Sequence, residues 1–231
     1  MLILAFETSA KAASVALHDG TKLLAESYQN TGMTHSQTLM VMAEDLLKQC
    51  GLTPKDVTHA AVAAGPGSFT GVRIGVAAAK GFAWGAQLPL YGVSTLEAMA
   101  QQMLLGDCYI CCCMDARRNQ VYNGIFGCSQ GTCQRICEDR AISLEELKAD
   151  LQQIQKPVIL VGDGAQLVHR SLELPHLVLP PEQCRQQRAS GVAAVAARQI
   201  AAGVAADAES LQPNYLRLSQ AEREKLERMQ K

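Results

Sequence analysis

Gly65-Pro66-Gly67-Ser68-Phe69-Thr70-Gly71-Val72-Arg73-Ile74-Gly75 is the stretch on which the reading of this chain turns. Before it, Ala60-Ala61-Val62-Ala63-Ala64 is a short apolar run that reads as a buried strand. After it, a helical pattern carries small residues at Gly71, Gly75 and Ala79. The order is therefore strand, Gly-Pro-Gly turn, helix. Glycine permits positive φ and close backbone approach. Ser68 or Thr70 can cap the helix by accepting a bond from an otherwise unpaired backbone N–H. The start of such a helix is also an anion site in principle.

Spacing excludes two phosphate loops. The glycines read G-x-G-x-x-x-G, one residue longer than the dinucleotide fingerprint, and the acidic ribose ligand about 20 positions on is missing. A P-loop needs Lys directly after its last glycine, whereas Val72 and Val76 follow Gly71 and Gly75. The plain reading that remains is a loop whose glycines let strand, turn and helix pack closely.

Together with Ala79-Lys80-Gly81 and Gly92-Val93-Ser94-Thr95-Leu96, the glycine stretch resembles the TsaB family of the bacterial machinery for threonylcarbamoyladenosine in tRNA. Similarity continues through Glu7-Thr8-Ser9, Asp115-Ala116-Arg117-Arg118, Val121-Tyr122 and Pro213-Asn214-Tyr215-Leu216-Arg217, so it touches most of the chain. The glycine stretch is highly specific and the other pieces are individually weak. The resemblance implies an actin/Hsp70/sugar-kinase fold. It also implies a non-catalytic subunit that binds and stabilises TsaD, the metal-holding transferase, and contacts the ATPase TsaE.

Composition agrees with a globular protein: 231 residues, 48% hydrophobic and 19% charged. A formal net charge of −1 is low for a chain that grips tRNA alone, so RNA contact is expected through a partner. No apolar run reaches membrane-span length, and Met1-Leu2-Ile3-Leu4-Ala5-Phe6 ends at Glu7 without a basic flank, unlike a signal peptide. Nine cysteines, an odd number, suit a reducing cytoplasm better than a fully paired secreted protein.

Residues 2–6, 12–18 and 22–29 read as strands, with Asp19-Gly20 as the hairpin turn between the last two. Glu7-Thr8-Ser9-Ala10-Lys11 joins the first two. By resemblance it stands where the first phosphate loop of the fold lies, which makes Glu7, Thr8 and Ser9 candidate nucleotide contacts. The alternative, favoured here, is an ordinary polar hairpin. Residues 35–50 read as a helix capped by Thr34. Its apolar arc includes Leu39, Met40, Met42, Ala43, Leu46, Leu47 and Cys50, and at 100° per residue it spans about 160°. That width predicts a second partner surface besides the core. TsaD carries two helical histidines four apart for its metal. Here His35 is followed four residues later by Leu39, so no such metal pair exists and His35 reads as a capping or surface residue.

Thr70 to Gly85 reads as the second helix, 88–91 as a strand, and Ser94 as the cap of a helix running to about 104. The second half repeats the order: strands at 108–114, 119–127 and 132–138, then a helix opened by the capping-box pattern Ser143-Leu144-Glu145-Glu146. Cys108, Cys111, Cys112, Cys113, Cys133 and Cys137 invite a zinc reading, but strand alternation puts Cys112 opposite Cys111 and Cys113, so they read as structural thiols. Asp115 lies at the second phosphate-loop position of the resembled fold, with Arg117 and Arg118 free to face solvent or a partner. A strand at 157–161 leads into Gly162-Asp163-Gly164, similar to that fold's adenosine-side turn. An alanine-rich helix spans 190–206.

The expectation is an α/β protein of two actin-like halves, 1–105 and a reduced 106–218, with a charged tail at 219–231. No catalytic residue and no metal are assigned, and no cofactor beyond weak ATP or ADP at a complex interface. The expected interface lies on the first two helices at His35, Leu39, Met42, Leu46, Gly71, Gly75, Ala78 and Phe82, and alone the chain is expected to dimerise through it. Its small residues would let a neighbouring backbone come close; the alternative is that they face this chain's own sheet. The rival function is an ATP-binding kinase or ATPase of the same fold, for which Glu7 and Asp115 are the carboxylates available. A protease reading lacks a metal-ligand pair and a nucleophile–base pair.

Overall fold

The computed structural model describes residues 1–103, 106–206 and 208–217. The first sheet holds β1 (Ile3–Glu7), β2 (Ala13–His18), β3 (Leu23–Gln29), β4 (His59–Gly65) and β5 (Leu90–Ser94) in the order β3-β2-β1-β4-β5. The first three pair antiparallel, and β4 and β5 run parallel to β1. Helices α1 (His35–Gln49) and α2 (Phe69–Ala86) connect β3 to β4 and β4 to β5, and α3 (Thr95–Gln101) leads from β5 to the second sheet. Alternation along β1 divides the core. Leu4 and Phe6 face α1 and α2, while Ile3 and Ala5 face the opposite layer.

The second sheet holds β6 (Cys108–Arg117), β7 (Gln120–Ser129), β8 (Thr132–Arg135), β9 (Arg140–Ser143), β10 (Val158–Val161) and β11 (Leu177–Val178). Its order is β11-β10-β6-β7-β8, with β9 beside β7. The strand expected at 132–138 ends at Arg135, and a separate strand, β9, pairs with β7 further along the chain. The helices are α4 (Leu144–Gln152), α5 (Ala165–Leu172), α6 (Glu182–Arg185) and α7 (Ala189–Ala201). The capping box forms at α4: Ser143 Oγ accepts from the Glu146 N–H, and the Glu146 carboxylate accepts from the Ser143 N–H. The two mixed sheets, each opened by antiparallel strands, make the actin-like α/β architecture that the resemblance implies.

Two expectations need correction. The second half does not hold all of 106–218, because α7 returns to the first sheet, where Val192, Ala193, Val195 and Ala196 pack on Ile3, Ala5 and Ala61. Its small side chains allow close crossing, and Gly191 leaves no room for a Cβ beside the Ala98 carbonyl of α3. Helix α3 in turn gives Leu96, Met99 and Ala100 to the second sheet's core, so α3 and α7 knit the halves together. The other correction concerns the thiols. Cys111 and Cys113 do share one face of β6 with Cys112 on the other, but Cys128 and Cys133, opposite each other on β7 and β8, form a disulfide. The charged tail and the end expected for the third helix lie outside the described residues. Among the described residues, no helix is long and apolar enough to cross a membrane.

Candidate functional site

The loop after β1 does not behave as an ordinary polar hairpin. Glu7, Thr8 and Ser9 are each at most 1% exposed, because the glycine turn closes over them. The Ser68 N–H donates to the Ser9 carbonyl at 2.7 Å, and the Thr8 hydroxyl donates to the Gly71 carbonyl at 2.8 Å. A Cβ at Gly71 would collide with the Thr8 carbonyl, one at Gly75 with the Thr8 hydroxyl, and one at Gly67 would lie 2.5 Å from the Ser9 carbonyl. The glycines therefore serve close packing of loop on helix, as the plain reading of the stretch had it. Gly65 adopts φ +111° and precedes Pro66 through a cis peptide. Of the two cap candidates, Ser68 is the N-cap, accepting from the Gly71 N–H at 3.3 Å. Thr34 stands at the N-cap of α1 but makes no side-chain cap bond.

This packing leaves few groups for a phosphate. The Ser9 N–H is taken by Glu7 Oε1 at 2.5 Å, the Ser68 N–H by the Ser9 carbonyl, and the Gly71 N–H by Ser68 Oγ. In this loop the buried side-chain atoms without a partner are Glu7 Oε2 and Ser9 Oγ, and Gln187 Oε1 is another such atom at the seam. Burial raises the Glu7 carboxyl to about 7, and the neighbouring Asp163 charge acts in the same direction. Asp163, also raised by burial, sits in the turn after β10 and accepts from Gln187 Nε2 at 3.2 Å. The seam between the lobes thus brings Glu7 near Asp163, whose carboxylate in turn accepts from the Asp115 backbone N–H and feels the Asp115 charge. Asp115 is exposed at the end of β6, where its Oδ1 accepts from the Arg117 N–H at 2.7 Å. Gln187 was not legible in the sequence as part of this cluster, since it lies in a loop-rich stretch without motif.

The expected interface residues are largely used inside this chain. Leu39, Met42 and Leu46 point into the core beside β1 and β2, at 1%, 3% and 4% exposure. Gly71 and Gly75 face Thr8, so the alternative reading of the small residues is the one the structure supports there. Ala78 and Phe82 are partly buried against the same core, and Phe82 meets Phe6 edge to face at 5.9 Å. His35 Nε2 lies 2.9 Å from the Ala10 carbonyl, tying the start of α1 to the first loop. The large apolar side chains that α1 offers to solvent are Met40 and Val41, 41% and 55% exposed. They border an apolar groove completed by Leu47, Leu52, Pro54 and Phe82. On α2 the outward positions include Gly81 and Gly85, with open space where a Cβ would lie, and Trp84, 80% exposed.

Two mixed sheets, a buried glycine-sealed loop and a seam between lobes define an α/β protein of actin-like fold. A family model described as TsaD, tRNA N6-adenosine threonylcarbamoyltransferase, matches residues 29–225. The chain is 33% identical over 226 residues to the tRNA threonylcarbamoyladenosine biosynthesis protein TsaB of Bacillus subtilis, covering 96% of each. It is 34% identical over 221 residues to the Escherichia coli protein of the same name, covering 94% of this chain and 95% of that one. A Pseudomonas aeruginosa crystal structure, described as similar to the peptidase YeaZ, superposes with a TM-score of 0.83 at 30% identity, covering 94% of this chain and 99% of that one. The chain belongs to the TsaB family.

Proposed function

We propose that this chain is a non-catalytic subunit in the formation of threonylcarbamoyladenosine in tRNA, binding a TsaD-like catalytic subunit and contacting a TsaE-like ATPase in the cytoplasm. The observation that carries the partner assignment is the outward face of α1 and α2. Met40 and Val41 stand exposed beside an apolar groove, and Gly81 and Gly85 are bare on the neighbouring helix. Exposed glycine within a helix costs about 1 kcal/mol relative to alanine, and small outward residues let another helix approach closely. Apolar patches of this kind mark interaction sites, and in the absence of its partner the chain pairs with itself there.

The seam supports a scaffold more than an ATPase. The Ser9, Ser68 and Gly71 amides are bonded within the chain and burial raises the Glu7 carboxyl to about 7, whereas a nucleotide–cation site needs free donors and charged carboxylates. Any ATP or ADP is bound at a complex interface, and tRNA is met by the assembled complex. The test is co-elution with the TsaD-like subunit. Val41→Glu should stay folded by circular dichroism and lose the partner; a folded variant that still binds would place the interface elsewhere. ATP hydrolysis by the chain alone, abolished by Glu7→Ala, would support the kinase or ATPase reading instead.

A further inference from the structure

The segment after α7 forms a strap across both lobes. Ala208 and Leu211 pack on the core beneath α1 and α2. The Asn214 N–H donates to the Ala64 carbonyl at 2.6 Å. Tyr215 stacks on Phe69 with ring centroids 4.5 Å apart, and its hydroxyl accepts from Arg73 Nε at 2.7 Å. The Arg73 guanidinium lies 4.1 Å over the Phe69 ring. Arg217 then reaches the other lobe, donating to the carbonyls of Ala116 at 2.5 Å and Arg117 at 3.4 Å. At the strap's start, Lys80 Nζ donates to the Glu209 carbonyl at 3.2 Å.

This path strings Lys80, Arg73, Arg217, Arg117 and Arg118 along one ridge, with Arg73, Arg117 and Arg118 exposed. Among the described residues, the acidic side chains on the same path are Asp115 and Glu209. Five cations against two carboxylates is a local concentration on a chain whose formal net charge is −1. The ridge is also held rigidly. Arg117, Arg118 and Asn119 have φ of 62°, 56° and 58°, a left-handed run that side chains adopt at a cost of about 1 kcal/mol or more each. The Arg217 bonds and the Asp115 bond to the Arg117 N–H hold that turn, so it presents its arginines outward.

We infer that this ridge binds the phosphodiester backbone of RNA within the complex proposed above, and the inference rests on that reading. Planar guanidinium groups match phosphate oxygens in paired hydrogen bonds, and a row of fixed cations suits a polyanion. An acidic protein surface would be the competing occupant. Protein interfaces centre on buried apolar side chains. Of the exposed large apolar residues, Tyr215 is stacked on Phe69 within the ridge, and Trp84 stands one helical turn beyond Lys80 on α2.

The experiment measures tRNA binding by the chain assembled with its TsaD-like partner over a range of salt. The Arg73→Ala/Arg118→Ala double variant should bind roughly tenfold more weakly and lower the slope of log K against log salt by about 1 to 2, with co-elution of the partner intact. Arg118→Ala alone, on an exposed turn, reports the same effect at smaller size if the double variant loosens the strap. Unchanged affinity and slope would overturn the inference. So would loss of the TsaE-like ATPase with tRNA binding intact, which would mark an acidic protein surface. If the wild-type chain fails to bind the TsaD-like subunit, the proposed function fails. Ultraviolet cross-linking of tRNA to the chain alone at low salt then decides the ridge, by whether peptides holding Arg73 and Arg118 carry the adduct.

Discussion

The hydroxyl of Thr8 donates to the carbonyl of Gly71 at 2.8 Å, and through this bond the first hairpin is fastened to the glycine helix. Both residues are buried, and the backbone of α2 comes close enough to leave no volume for a side chain at Gly71 or Gly75.

Substitution there is expected to act through backbone collision. Gly71→Ala places its methyl against the Thr8 carbonyl, which cannot rotate away. A loss of about 1–3 kcal/mol is expected, the range for overpacking a tight contact. Urea denaturation of wild type and variant measures it, and unchanged stability would show that the loop yields.

Gly81→Ala is the contrasting case, since nothing lies within 4 Å of the added carbon. The helix should gain up to about 1 kcal/mol from propensity alone. If α2 meets the proposed partner there, the same variant should bind that partner more weakly. Thermal melts and co-elution on one preparation separate the two effects.

Leu46→Arg and Val41→Glu should part company, although both sit on α1. Leu46 is 4% exposed in the core, and an unpaired charge there should unfold the first lobe. Val41, 55% exposed, should tolerate the change and keep a native circular dichroism spectrum. A well-folded Leu46→Arg variant would contradict the packing of α1 described above.

Stability should also depend on pH through Glu7. Its folded carboxyl holds a proton up to about 7, against 4.5 for the ordinary group. Between those values the folded chain binds more protons than the unfolded chain. The contribution is therefore complete below about 4.5, falls as pH rises towards 7, and is level above. Its size is on the order of 3 kcal/mol. Glu7→Gln keeps an acceptor for the Ser9 N–H and should flatten most of this fall; Asp163, raised in the same direction, leaves a remainder. Denaturation at pH 5 and pH 8 gives the comparison, and parallel curves for wild type and variant would refute it.

Thiol reactivity should follow burial. Cys50 and Cys184 are exposed, whereas Cys111, Cys112 and Cys113 are fully buried. Burial and neighbouring thiols hold Cys112 and Cys113 well above the usual thiol range. Brief iodoacetamide treatment of native protein should alkylate the exposed pair and leave the β6 thiols unmodified until denaturant is added. Peptide mass spectrometry reads the pattern directly.

Local patterns in the sequence determined the elements. The turn signal at Asp19-Gly20 marked the end of the second strand and its hairpin. The Ser143-x-x-Glu146 capping box marked the start of α4, and the glycine spacing marked a strand–turn–helix that is no dinucleotide or P-loop. These signals depend on neighbours within a few positions, so the chain displays them before it folds. The relation of one cysteine to the next on β6 was legible for the same reason, because a strand alternates faces whatever packs on it.

What only the tertiary structure decided depends on which distant segment covers each residue. Apolar width on α1 could not tell core from partner surface, since Leu39, Met42 and Leu46 are indistinguishable in composition from Met40 and Val41 until the sheet lies against one side. Small residues on α2 carried the same ambiguity: Gly71 and Gly75 meet Thr8, while Gly81 meets nothing in this chain. Glu7 looked like any polar turn residue until the glycine loop, some 60 positions away, sealed it from water and raised its pKa. The return of α7 to the first sheet and the crossing of Arg217 to the second lobe join residues more than 100 positions apart. No periodicity encodes such contacts, because burial is a property of the assembled surfaces and not of any single stretch.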